Sequence, residues 1–161
     1  LEGTSLKFAI YRGERYACNI KNRKIRLKSR EKKSGFTELI DLEGDVHSDI
    51  FIKEVSDRKV EDVYELTHEA IFKGVTFQTS GIGKHTLDEG ELLLLSDNLQ
   101  DISTHNFFRE DKFVCHKNVA LEEIDALIEM KNHILRFRRK GLVTTRINPS
   151  YINDYLQQLL Q

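Results

Sequence analysis

The sequence predicts a mainly β (α+β) protein: two tandem copies of a small antiparallel β unit, followed by a C-terminal amphipathic helix. Three observations predict it. First, the chain repeats itself. AIYRGERYAC (Ala9–Cys18) reads against AIFKGVTFQT (Ala70–Thr79), and KIRLKS (Lys24–Ser29) against ELLLLS (Glu91–Ser96). DIFIKEV (Asp49–Val55) reads against DKFVCHKNV (Asp111–Val119), and VEDVYEL (Val60–Leu66) against IDALIEM (Ile124–Met130). The order is kept at an offset of 61–67 residues, and a fixed period decides architecture. Second, Lys24–Arg30 alternates strictly, with Ile25, Leu27 and Ser29 on one face and Lys24, Arg26, Lys28 and Arg30 on the other. A period of two marks a half-buried antiparallel strand. Third, Tyr151, Ile152, Tyr155, Leu156, Leu159 and Leu160 form one apolar helical stripe, which must be buried.

The elements follow in order. Phe8, Ile10, Tyr16 and Ile20 are strand formers around a turn at Arg12-Gly13, and Lys21–Lys24 makes a second turn. A polar loop with Gly35 and Gly44 precedes a strand over Ile50–Val55. Ser56 or Asp57 caps a short helical turn, and Val63–Phe72 reads as a strand into the second copy. That copy opens on the turn Lys73-Gly74. Leu92–Leu95, apolar on both faces, reads as a central strand, and Phe113–Val119 as the next. Leu121–Lys131 has helical spacing at Leu121, Ile124, Leu127 and Ile128, which conflicts with a strand at its counterpart after Asp62; the sequence leaves both open. Asn148 and Pro149 suit the N-cap and first position of the final helix. The divisions are 8–69 and 70–135 for the two β units and 136–161 for a basic segment and helix. The expected core is Ile10, Tyr16, Ile25, Leu27, Phe51 and Val63 in copy one, and Ile71, Phe77, Leu92, Leu94, Phe113 and Leu127 in copy two.

Composition bounds function. Apolar residues make up 39% and charged residues 32%, as in a globular chain without a membrane span. The N-terminal residues show no basic stretch followed by an apolar core, so no signal peptide and a cytoplasmic location are expected. Cys18 and Cys115 are not equivalent between copies and are expected as free buried thiols. The net charge of −1 hides segregation: residues 1–33 carry 11 basic and 3 acidic side chains, residues 34–70 the reverse balance of 3 and 11.

No motif fixes a reaction. The six histidines lack metal-ligand spacing, so scattered surface histidines are expected, with no metal and no cofactor. Asp97, Asp101, His105, Asp111 and His116 lie within twenty residues and offer a nuclease-like cluster, against the plainer reading of solvated loop acids. GIGKHT (Gly81–Thr86) departs from a phosphate loop, with Gln78 in place of the first Gly and His85 where Ser or Thr is needed. The strongest polar feature is Lys21–Lys33, eight Lys or Arg in thirteen residues. Four of them, Lys24, Arg26, Lys28 and Arg30, line one strand face that attracts phosphates or an acidic protein, unless the acidic segment 38–62 neutralises them.

The twin IYRG and IFKG turns, the Ser34-Gly35-Phe36 and Asn106-Phe107-Phe108 blocks, the Asp49–Phe51 and Asp111–Phe113 strand starts and the Val119–Ile124 element carry a resemblance. Over Phe8–Phe137 the chain resembles duplicated small proteins of Gram-positive bacteria that are encoded beside polymorphic or secreted toxins and act as immunity proteins. The resemblance implies a non-catalytic, cytoplasmic inhibitor that occludes a cognate toxin, and it carries over no site residues. Each copy is the size of an SH3-like barrel. The leading expectation is thus a protein-binding inhibitor whose partner is a protein toxin, with Lys24, Arg26, Lys28, Arg30, Asp97, Asp101 and Asp111 as its contact residues. The alternative is a nucleic-acid-binding tandem β module using the basic strand, and a third is a metal-dependent nuclease. Oligomeric state is not legible.

Overall fold

Two-residue turns set the N-terminal half. Arg12 and Gly13 both have positive φ (50° and 78°), as do Asn22 and Arg23 (52° and 65°). Two consecutive left-handed residues make the hairpin turn whose twist matches that of the flanking strands. The computed structural model describes residues 6–161, and they divide into two compact units.

The first unit comprises residues 6–66 and 131–142. Its strands are β1 (Leu6–Tyr11), β2 (Glu14–Lys21), β3 (Lys24–Ser29), β4 (Thr37–Ile40), β5 (Val46–Ser56) and the first half of β6 (Asp62–Phe72). They lie in the order β4-β5-β3-β2-β1-β6, antiparallel throughout. Ser56 accepts from the Arg58 amide and caps a 3-10 turn at Asp57–Lys59, which leads from β5 to β6. The alternation in β3 is as read: Ile25 and Leu27 are fully buried, while Lys24, Arg26 and Lys28 are exposed. Behind Ile25 and Leu27 lie Tyr16, Phe36, Val55, Val63 and Phe137, with the Tyr16 and Phe36 rings 5.2 Å apart.

The second unit comprises residues 67–130 and 143–161. The second half of β6 is followed by β7 (Val75–Ser80), α1 (Lys84–Glu89), β8 (Glu91–Ser96), α2 (Asp101–Thr104), β9 (Phe108–Arg109), β10 (Cys115–Ala120) and β11 (Ala126–His133), then β12 (Leu142–Ile147) and α3 (Ile152–Leu159). The order β6-β7-β8-β10-β9 repeats that of the first unit, with β11 beside β6 in the place that β6 takes beside β1. Central β8 buries Leu92, Leu94 and Leu95, as its unbroken apolar run requires.

Hydrogen bonds recur with the strands. The Glu61 amide donates to Ile10 O at 2.8 Å, and the Asp125 amide to Ile71 O at 2.8 Å. The Glu61 carboxylate takes the amides of Arg12 and Gly13 at 3.0 and 2.8 Å, and Asp125 Oδ2 takes the Gly74 amide at 3.2 Å. One acid before the last strand therefore holds each glycine turn. Glu61→Ala should cost about 1 kcal/mol in urea unfolding, the net value of such bonds; a midpoint equal to wild type would show that the turn holds itself.

Several expectations change. The sheet is open, not a closed barrel: among the described residues β4 pairs only with β5 and β9 only with β10, each ending its order. The unit boundary falls at Leu66/Thr67, inside β6. Leu121–Lys131, left open between helix and strand, is a 3-10 turn at Leu121–Glu123 that gives way to β11, so the apolar spacing serves a turn and then a strand. Phe113 is 67% exposed, because β10 begins only at Cys115. Ile10, Phe51 and Ile71 are half-buried. Pro149 starts a 3-10 turn, Asn148 makes no side-chain cap bond, and α3 begins at Ile152. Of the expected stripe Ile152, Leu156 and Leu159 are buried, while Tyr151 is exposed. Both cysteines are free and buried, and burial pushes the Cys18 thiol up to about 11. The histidines are not uniformly superficial: His68 and His133 are buried. No helix among the described residues is long and apolar enough to cross a membrane.

Candidate anion-binding surfaces

The two units differ in charge. The first, residues 6–66 and 131–142, carries 19 basic and 12 acidic side chains, net +7; residues 67–130 and 143–161 carry 6 and 13, net −7. Similar strand orders thus present opposite signs.

On the first unit, strand pairing assembles the cationic face. Asn19 pairs Arg26, Lys21 pairs Lys24, and Ala17 pairs Lys28 across β2 and β3. Paired residues share a face, so Lys21, Lys24, Arg26 and Lys28 stand together. Asn19, Lys21, Asn22, Lys24, Arg26 and Glu54 line a groove of about 650 Å³ there. Glu54 reaches Lys24 Nζ at 3.5 Å, an exposed pair worth little in water. With the amide of Asn19 turned, its oxygen accepts from Lys28 Nζ at 3.2 Å. Arg26 has no ion pair with the acidic segment among the described residues. Arg30 lies beyond the strand: β3 ends at Ser29, and Arg30 stands exposed in the bend that follows.

A second cationic cleft, about 430 Å³ in volume, lies at the Arg12-Gly13 turn. Arg12, Arg58, Lys59 and Arg136 line it, together with Tyr11 and Glu61. Arg136 is fixed by its own bonds, Nε donating to Asp57 O at 3.0 Å and Nη2 to Val60 O at 2.7 Å. The Tyr11 phenol is held below its ordinary pKa by a hydrogen bond with Lys53, against the effect of burial, with further lowering by Arg12, Lys53 and Lys59. The sequence reading missed this cluster, because its members lie 46 and 77 positions apart along the chain. A signal existed: the 3-10 turn reads Asp57-Arg58-Lys59 in the first unit and Leu121-Glu122-Glu123 in the second.

The acidic candidates separate. Asp97, Asp101 and His105 line one cleft of about 550 Å³ with Glu69 and Gln78. Asp101 is buried, accepting from Ser96 Oγ at 2.5 Å and facing His105 Nδ1 at 2.8 Å. Asp111 is elsewhere engaged: its Oδ1 takes the amides of Phe113 and Val114 at 2.8 and 2.9 Å and shapes its own loop. His116 faces Glu110, with 3.7 Å between Nδ1 and Oε2. The nuclease-like quintet is therefore not one site. The carboxylates of Asp41, Glu43 and Asp45 lie within 4.8 Å of one another. Asp41 Oδ1 is already occupied by the Glu43 and Asp45 amides, and Oδ2 by His47, so this exposed group closes a loop.

Comparison with known proteins places the chain in a family. The model of the family described as "Uncharacterised conserved protein UCP033725" matches residues 4–136, and the chain belongs to that family. No curated protein matches, and no solved structure matches.

Proposed function

We propose that the chain is a non-catalytic binding module whose first unit docks on the backbone of a nucleic acid. The observation that carries this reading is the face of Lys21, Lys24, Arg26 and Lys28 on a unit of net +7, with Glu54 as the acid lining its groove. Cations on a regular strand lattice attract a polyanion without reading bases, so binding should fall steeply with salt. Phosphate contacts position and do not specify, and the module is therefore expected to be indifferent to sequence.

A test is direct. Reversing Arg26 and Lys28 to Glu should weaken oligonucleotide binding by at least about tenfold at low salt and reduce the salt slope by about 2, one per lost phosphate contact. Folding should change by under about 0.5 kcal/mol, because both side chains are exposed. A folded double variant that binds as wild type would end this reading.

The inhibitor reading has its own observation. Phe108 and Phe113 are both about two-thirds exposed on the unit of net −7. Exposed aromatics on a unit of net negative charge suit a cationic protein partner better than a nucleic acid, although Arg109 and Lys112 stand beside them. A protein toxin that acts on nucleic acid would present such a surface. Binding of a basic partner that survives the Arg26 and Lys28 reversal and fails on neutralising the exposed Asp97 would favour the inhibitor.

A further inference from the structure

We propose that the cleft at the Arg12-Gly13 turn is a separate site for a terminal phosphoryl group, held by Arg58, Lys59 and Arg136. Three observations converge. Four cationic side chains line a volume of about 430 Å³, and Glu61 is the one acid among its lining residues. The Glu61 carboxylate accepts the Arg12 and Gly13 amides and holds the turn, and its single negative charge stands against four cations. Among the described residues, Arg58 and Lys59 have no carboxylate within ion-pair distance, whereas Lys24, Lys33 and Lys140 of the same unit each have one.

Arg136 is the anchor. Two carbonyls fix its guanidinium, which leaves the remaining N–H donors of a rigid, permanently charged group for an anion. A planar fork beside a flexible ammonium is the donor set that takes phosphoryl oxygens. The other unit supplies an internal comparison. It has an equivalent hairpin turn, an acid on its glycine (Asp125 for Glu61) and an equivalent 3-10 turn, yet carries Glu122 and Glu123 where the first unit has Arg58 and Lys59. The fold therefore does not require cations there.

The cleft shares no residue with the β2–β3 groove, so it stands or falls apart from the polyanion reading. The phosphoryl group has two possible sources, a small phosphorylated molecule or the end of a strand, and the test separates them. Inorganic pyrophosphate is titrated into the full chain by calorimetry, with potassium chloride of equal ionic strength as the blank. Binding is expected with a dissociation constant below about 1 mM, and the double variant Arg58→Gln/Lys59→Gln should weaken it at least about tenfold, or about 1.4 kcal/mol. Arg26→Gln/Lys28→Gln should leave it unchanged. In parallel, one oligonucleotide is compared with a 5′-phosphate and a 5′-hydroxyl. A preference for the phosphate that the Arg58/Lys59 variant loses assigns the strand end. Equal binding of both oligonucleotides, with pyrophosphate still bound, assigns a small ligand. The proposal is overturned if wild type shows no pyrophosphate binding beyond the salt blank, or if a folded Arg58/Lys59 variant binds it as tightly as wild type. Loss of pyrophosphate binding only in the Arg26/Lys28 variant would also overturn it, by moving the anion to the sheet face.

Discussion

Truncating Leu27 to alanine should destabilise the protein by about 2–5 kcal/mol, the range for a large aliphatic side chain removed from a closed core. Leu27 has no exposed surface and belongs to the cluster of Ile25, Val55, Val63 and Phe137. The void left behind loses both the transfer free energy of the missing carbons and their contacts. Its neighbour gives the control. Lys28 points to the opposite face, so Lys28→Ala should change stability by under about 0.5 kcal/mol. Chemical unfolding of the two variants reads the register of β3 directly. Reversed costs, large at Lys28 and small at Leu27, would mean that the strand is displaced by one residue, since a single step exchanges every inward side chain for an outward one.

The second large effect depends on pH. His68 on β6 is 4% exposed, and burial lowers its pKa to about 4. Its Nε2 lies 2.7 Å from Tyr155 Oη on α3, and that hydroxyl donates to Glu129 Oε2 at 2.5 Å. The tyrosine oxygen therefore accepts from a neutral imidazole. An unfolded histidine titrates near about 6.5. Between that value and about 4 the unfolded chain binds a proton that the folded chain refuses, so stability rises with pH there. The contribution is complete above about pH 6.5 and disappears as pH falls toward 4, for a total of about 3 kcal/mol. His68→Gln keeps a donor toward Tyr155 and removes the titration. The difference between wild-type and variant stabilities, followed from pH 7 to 4, should slope by this amount. A flat difference would show that His68 is not the group excluded from protonation.

What the sequence disclosed depended on the length over which a signal acts. Strand β3 was legible because period two writes burial onto adjacent letters: Ile25 and Leu27 in, Arg26 and Lys28 out. The hairpin turns were legible because Arg12-Gly13 and Lys73-Gly74 need left-handed backbone, which glycine accepts. Leu121–Lys131 stayed undecided, since Leu121, Ile124 and Leu127 are buried from a 3-10 turn and then a strand, two geometries whose combined spacing imitates a helix. Closure into a barrel depends on pairings between distant strands, which alternation within one strand does not encode. Of the cationic residues, Lys24, Arg26 and Lys28 were found by local alternation. Arg12, Arg58, Lys59 and Arg136 were not, because the fold alone brings three separated segments to one cleft. Asp111 shows the converse: proximity in sequence to Asp97 and Asp101 did not become proximity of function, because its carboxylate folds its own loop.

The near-neutral total conceals an electrically divided chain. A protein with net charge −1 would ordinarily be placed among those that precipitate for want of repulsion. Opposite charges on the two units, +7 and −7, make attraction between unlike units of different molecules the expected form of cohesion. Such attraction is strongest in dilute buffer, where the screening length reaches about 30 Å, and fades at about 8 Å under physiological ionic strength. Added salt should therefore disperse this protein, where it would crowd a uniformly charged one together; light scattering that rises with salt would contradict this. Desalting, the usual first step before measuring a charge-driven interaction, is therefore the condition under which such self-attraction would be strongest.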